Sequence, residues 1–367
     1  MRLFDSLFRP GLRPLRVAIL VAAAFVLTDA LFAGYVHRAF RFPTFRFPAD
    51  SKTFLDEYLT YLESDTATRT FFVGDSVIQG QHLADGETVP VQYAGAANAP
   101  AVNLGLTAAK TPDFFFLTGR LPSRPGATVI YNVNYKNFCA YDLSVPLRFR
   151  DLFDPALART VAPDLRDALN APENDPASAS VVRRHWFLLR HRDWVNAALF
   201  GGHPRQQIKG YVDQIAARGL GSAWRHLLQS KTETPATRKD WPARSVEILR
   251  SYYRAMPLND TNAVFRMIGP TARLARDRQF QPVFFANPMN RALLDRFQAI
   301  DWALYGDNVL RVRQAVETGG GVFFDYTNLL APRHFVDNDH VTAEGARLLA
   351  GRLYRDIIRA AAPEGGE

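Results

Sequence analysis

The chain has 367 residues, 47% of them hydrophobic and 22% charged, with a formal net charge of +8. That composition provides for a full core in one elaborated domain or two small ones. A single cysteine, Cys139, excludes an internal disulfide framework and any multi-cysteine metal site. The positive charge, largely arginine, comes with no zinc-ligand spacing, RNA-binding aromatic signature or helix-turn-helix pattern, so no nucleic-acid partner is expected.

Residues 1–16 form a short arm in which Arg2, Arg9, Arg13 and Arg16 face only Asp5. Residues 17–36, VAILVAAAFVLTDALFAGYV, are apolar and long enough to cross a hydrocarbon core of ~30 Å as a helix. The arginine bias places the arm in the cytoplasm and the rest of the chain outside. A cleaved signal peptide, with a small-residue site at Thr28-Asp29-Ala30, is the competing reading. The apolar run continues through Leu31 to Val36 and an aspartate is awkward at such a site, so an uncleaved anchor is expected. Asp29 lies toward the outer end of the span, where it either snorkels to the interface or faces a partner helix. A Pro- and Phe-rich connector at 37–50 suits the membrane interface.

Past the connector, LDEYLTYLES reads as a short helix. Strand-like runs recur at 70–73, 101–104, 128–133, 282–286 and 321–325, separated by helix-length segments such as 111–119 and 290–316. Buried strands alternating with helices indicate a parallel sheet covered on both faces, whose ligand site lies beyond the carboxyl ends of the strands. An insertion at about 140–245 has little strand character. In it, APENDPASAS reads as a loop. RRHWFLLRHRDWVNAALF sets Trp186, Phe187, Leu188, Leu189, Trp194 and Val195 on an arginine-studded helix near His185 and His191. This helix either packs on the sheet, caps the active site or docks on the membrane or on a membrane partner. SVEILRSYYRAM and TNAVFRMIGPTARLARD return the chain to the core as helices, with Pro270 kinking or splitting the second.

Two segments carry chemistry. The apolar run Phe71-Phe72-Val73 breaks at Gly74-Asp75-Ser76, as a buried strand does when it presents a side chain at a sheet rim. Asp337 stands three residues before His340, just ahead of a helical segment. A serine hydroxyl needs an imidazole to take its proton, and the imidazole needs a carboxylate to fix its tautomer. Ser76 is therefore the expected nucleophile, His340 the base and then acid, and Asp337 the orienting carboxylate. Asp339 is too close to His340 in sequence to reach Nδ1 comfortably. Asp325 is the rival carboxylate and His334 the rival base, while Asp75 is expected to bond the backbone of its own turn. Nothing calls for a metal or an organic cofactor.

These residues resemble the SGNH/GDSL hydrolases over roughly residues 68 to 138 and 280 to 360. Gly74-Asp75-Ser76 is similar to the nucleophile block, with Val77 where the family has leucine. Asn103-Leu104-Gly105 is similar to the second block and Asp337 to His340 to the last. The third block, Gly-x-Asn-Asp in the family, falls at Asn132-Val133-Asn134-Tyr135, where both glycine and aspartate are missing. The resemblance implies oxyanion donors at the N–H groups of Ser76 and Gly105 and the amide of Asn134, with Asn132 as an alternative. It also implies a flavodoxin-like, three-layer α/β/α domain over 51–363 that carries the helical insertion behind an N-terminal transmembrane helix. The N-terminal anchor, the large insertion and the loop Asn287-Pro288-Met289-Asn290 look like the branch that works beside polytopic membrane-bound O-acyltransferases in exopolysaccharide O-acetylation and D-alanyl transfer. That likeness implies an acyltransferase or esterase facing the periplasm, acting on a cell-envelope polysaccharide beside such a membrane partner. The alternative is a non-catalytic assembly or glycan-binding subunit.

Overall fold

A computed structural model describes residues 13–48, 54–138, 147–149, 152–169, 186–191, 243–253 and 257–361. Cys139, His185, Trp194, Val195 and the APENDPASAS loop lie outside the described residues. The chain divides into two compact units, Met1–Phe42 with Asn174–Thr232, and Pro43–Glu173 with Glu233–Glu367.

In the first unit, α1 (Arg13–Ala39) contains a 23-residue apolar segment, Val17–Ala39, long enough to cross a membrane. It outruns the expected end at Val36 by one turn. That last turn carries His37 and Arg38, whose charge suits the carbonyl end of a helix. Val17, Leu20, Phe25 and Leu31 are exposed along it. Against α1 lies a short helix of the insertion, Phe187–Arg190. Asp29 accepts hydrogen bonds from Phe187 N at 3.3 Å and Leu188 N at 2.7 Å. Those are the first N–H groups of that helix, which have no acceptor of their own. Phe25 meets Trp186, and Phe32 meets Phe187 edge-on. The aspartate thus faces backbone donors of the insertion, and residues 186–191 pack on α1.

The second unit is built on five parallel strands, β1 (Thr70–Gly74), β2 (Ala101–Gly105), β3 (Thr128–Val133), β4 (Gln281–Ala286) and β5 (Val322–Asp325), in the order β2-β1-β3-β4-β5. Register pairs Gly74 with Gly105, Val73 with Tyr131 and Ala286 with both Val133 and Asp325. All five carboxyl ends therefore share one rim. LDEYLTYLES forms α2 (Leu55–Ser64). Ser76–Gln79 is a single helical turn, α3, followed by α4 (Val89–Ala97), α5 (Thr111–Arg120), α6 (Ile268–Asp277), α7 (Trp302–Thr318) and α8 (Ala343–Ala361).

Successive strand residues point to opposite faces, and the packing follows. Phe72, Ile130, Val283 and Phe285 bury against Tyr93 of α4 and Leu349 and Leu353 of α8. On the other face Tyr131 stacks on Phe284 at 4.4 Å, and its hydroxyl pairs with Thr118 of α5 at 2.8 Å. There α6 lies between α5 and α7, in contact with both. Each large apolar side chain so buried contributes about 1.5–3 kcal/mol. Two expected helices are divided. Asn262 caps Ala263–Arg266, and Pro270 falls in the first turn of α6, where a missing N–H is harmless. The 290–316 segment forms Arg291–Arg296 and then α7, which Asp301 caps through Ala303 N and Leu304 N.

Candidate active site

The end of β1 turns sharply because of its residue types. Asp75 Oδ1 accepts from Val77 N at 2.9 Å, which caps α3 and sets Ser76 at its first position. A Cβ on Gly74 would collide with Asn132 Oδ1 and Ile78, so only glycine lets β3 close over the turn. Asn132, fully buried, clamps that turn. Its Oδ1 accepts from Asp75 N at 3.0 Å, and its Nδ2 donates to Asp75 Oδ1 at 2.8 Å and Asn287 Oδ1 at 3.3 Å.

Ser76 and His340 are 264 residues apart in the chain, yet Ser76 Oγ lies 2.9 Å from His340 Nε2. On the other side of the ring, Nδ1 lies 2.8 Å from Asp337 Oδ2. With Asp337 accepting the Nδ1 proton, Nε2 is left to accept the serine hydroxyl. The three-residue spacing has a local cause: Asp337 Oδ1 accepts from Asp339 N at 3.0 Å and His340 N at 2.8 Å, closing the turn that aims the imidazole. Asn290 Nδ2 fixes this turn from outside by donating to Asp337 O at 3.0 Å.

Burial pulls the His340 pKa down, but the charges of Asp339 and Asp337 and the Asp337 hydrogen bond outweigh it and leave the imidazole above its ordinary 6.5. Burial pushes Asp337 up, yet the hydrogen bonds and charge of His340 prevail and hold it well below the usual carboxylate range. The carboxylate is therefore ionised beside a basic imidazole, the state a general base requires.

The rivals fall away on position. Asp325 closes its own turn through Thr327 N and Oγ1. His334 is buried with Nδ1 3.6 Å from Glu344. Asp75 has the structural part expected of it. Asp339 does approach the ring: its Oδ1 is 3.4 Å from His340 Nδ1, because the turn folds back on itself and brings the neighbouring carboxylate round.

The oxyanion donors depart from expectation. Gly105 N donates to Asn103 Oδ1 at 2.9 Å, and Asn103 Nδ2 holds Ile78 O at 2.9 Å. The glycine is needed because a Cβ would strike the Gln79 backbone of α3. Asn134 Nδ2 donates to Asp75 Oδ2 at 2.9 Å and Asp339 Oδ2 at 2.6 Å, and the Asn132 amide is equally committed. Of the three expected donors, Ser76 N–H alone sits at a first helical position, where the helix supplies no acceptor.

Two participants were not legible beforehand. Lys136 Nζ lies 2.6 Å from Asp339 Oδ2. Burial pulls its pKa down, but Asp339 and Asp75 outweigh that and keep it charged. The exposed His82 ring stands edge-on to His340 at 5.3 Å, on a left-handed backbone of φ 72°, a conformation uncommon outside glycine. His82, Asp337 and His340 bring ligand-type atoms within 4.8 Å of one another. Both His340 nitrogens are already engaged, Nε2 by Ser76 and Nδ1 by Asp337. Against known proteins, no family model matches the sequence, and no curated protein matches it.

Proposed function

We propose that the protein is a membrane-anchored serine acyltransferase or esterase of SGNH/GDSL type with a flavodoxin-like catalytic domain. The observation that carries the reading is the continuous relay from Ser76 Oγ through His340 to Asp337, at the strand rim where such sheets hold ligands. Ser76 Oγ attacks an ester carbonyl while its proton passes to His340 Nε2. Collapse of the tetrahedral intermediate returns that proton to the departing alkoxide and leaves an acyl-serine. A sugar hydroxyl or water, deprotonated by His340, then attacks the acyl carbonyl; the acyl–Oγ bond breaks and His340 returns the proton to Ser76 Oγ. The oxyanion meets Ser76 N–H first. Gly105 N–H and the Asn134 amide join only by releasing Asn103 and the two carboxylates.

The substrate class is O-acyl groups of a cell-envelope or secreted polysaccharide, and the partner a polytopic membrane-bound O-acyltransferase. Support comes from the apolar Val17–Ala39 helix and the arginine bias before it, which favours the residues after the helix lying outside the cytoplasm; in this reading they face the periplasm from the inner membrane. A C-terminal periplasmic reporter together with alkaline carbonate extraction tests the topology; a soluble product beginning near residue 31 contradicts it. Hydrolysis of p-nitrophenyl acetate, lost in Ser76→Ala, tests the chemistry. A second reading, a non-catalytic assembly or glycan-binding subunit, is favoured by the committed Gly105 and Asn134 donors. It predicts no ester turnover and no labelling of Ser76 by a fluorophosphonate.

A further inference from the structure

We propose that Asp339, held by Lys136 and Asn134, is a second carboxylate partner of His340, a positioning residue that joins Asp337 in setting the basicity of the imidazole. The inference rests on His340 being the general base of the proposed reaction. Asp339 is almost fully buried, at 1% exposure. A carboxylate so placed needs its oxygens satisfied. Oδ2 accepts from Lys136 Nζ and Asn134 Nδ2, each at 2.6 Å. Oδ1 accepts from Asn338 Nδ2 at 2.7 Å, and the same oxygen stands 3.4 Å from His340 Nδ1. Pairing with Lys136 alone would not require an oxygen against the imidazole.

The charges around the ring come from every element that meets it. Asp337 and Asp339 lie in its own turn, and Lys136 in the turn after β3. His82 stands edge-on from the loop after α3. The Tyr253 hydroxyl, bonded to Asn338, is kept neutral by burial. When His340 takes the serine proton, two carboxylates face the imidazolium and one ammonium opposes it. Lys136 therefore has two effects: it holds Asp339 in place and moderates its field. Removing Asp339 and removing Lys136 must move His340 in opposite directions, a pattern that loss of structural support does not produce.

The test is the titration of His340 in the full-length chain in lipid nanodiscs, read from imidazole 15N shifts and assigned by the signal missing in His340→Gln. Asp339→Asn is expected to lower the His340 pKa and Lys136→Met to raise it, each by about one unit. The acid limb of ester kcat/KM should move with it. Should Asp339→Asn fold poorly because Lys136 is left unpaired, the double variant removes both buried charges. Its His340 pKa is then expected below the wild type and above Asp339→Asn where that can be measured. Shifts in the same direction, no shift in folded variants, or a double variant at or above the wild-type value overturn the inference. Opposite shifts in a protein without ester turnover leave the inference standing and remove the catalytic reading instead.

Discussion

The two ends of the central sheet bury polar groups in different ways. At the amino end, guanidiniums cover backbone carbonyls. Arg124 donates to Thr68 O at 3.0 Å and to Leu62 O, with its head near the Phe71 ring. Arg278 donates to Leu121 O beside Phe280. At the carboxyl end the side chains bond one another: Asp75 with Asn132 and Asn134, Asn134 with Asp339, Asp339 with Lys136, Asn132 with Asn287. Side chain–side chain bonds are the minority class in folded proteins, and buried ionic groups add little stability over apolar replacements of the same shape. The amino end serves the fold. The carboxyl end holds more polar order than the fold needs, and that excess is what places Ser76, His340 and charged groups within reach of one another.

Breaking the carboxyl end should give the largest effects. Ser76→Ala and His340→Ala are each expected to reduce kcat by roughly 10⁴-fold or more, since members of a triad act as a unit. Both variants should remain folded, with Ser76→Ala melting close to wild type. Near-wild-type ester turnover in both variants would end the catalytic reading.

Asn134→Ala comes next, and it sharpens the contrast within that end. If the amide leaves its carboxylates to meet the oxyanion, kcat should fall by roughly a hundredfold to a thousandfold with little change in KM. Asn132→Ala, by contrast, strips the clamp from Asp75 and should cost about 1–3 kcal/mol of stability, seen as a lower denaturation midpoint. A kcat loss confined to Asn132 would transfer the oxyanion role to that residue.

At the other end, Arg124→Met should cost about 1–3 kcal/mol by leaving buried carbonyls unpaired, while turnover per folded molecule stays unchanged. A turnover loss matching that of the rim variants would erase the division between the two ends.

The smallest expected effect is on pH dependence. His340 must be neutral to act as base, so kcat/KM should rise with pH through a value above 6.5, following its raised pKa. The same shift has a stability consequence. A group whose folded pKa is raised contributes fully below its unfolded pKa, and the contribution fades as pH rises through the folded value. The melting-temperature difference between wild type and His340→Gln should therefore narrow as pH climbs through that range. A difference constant with pH would contradict the shift.

The amino-acid sequence by itself determined the strands, the turn at Gly74-Asp75-Ser76 and the Asp337–His340 pair. Each is a local matter: apolar runs bury, glycine permits the close approach at 74, and a three-residue spacing closes a turn through Asp337 Oδ1. The apolar helix before residue 40 was legible for the same reason, by length and hydropathy alone. Only the tertiary structure decided what residues 132–135 do. Asn134 and Asp339 are 205 residues apart, and nothing periodic in either segment reports that β3 and the loop before α8 end at one rim. Nearness in sequence misled at Asp339 itself, since a turn that folds back brings a neighbouring carboxylate onto the ring. Asp29 and Leu188, 159 residues apart, meet for an equally non-local reason: a carboxylate in an apolar helix and the first N–H groups of a short helix each lack a partner, and folding supplies one to both.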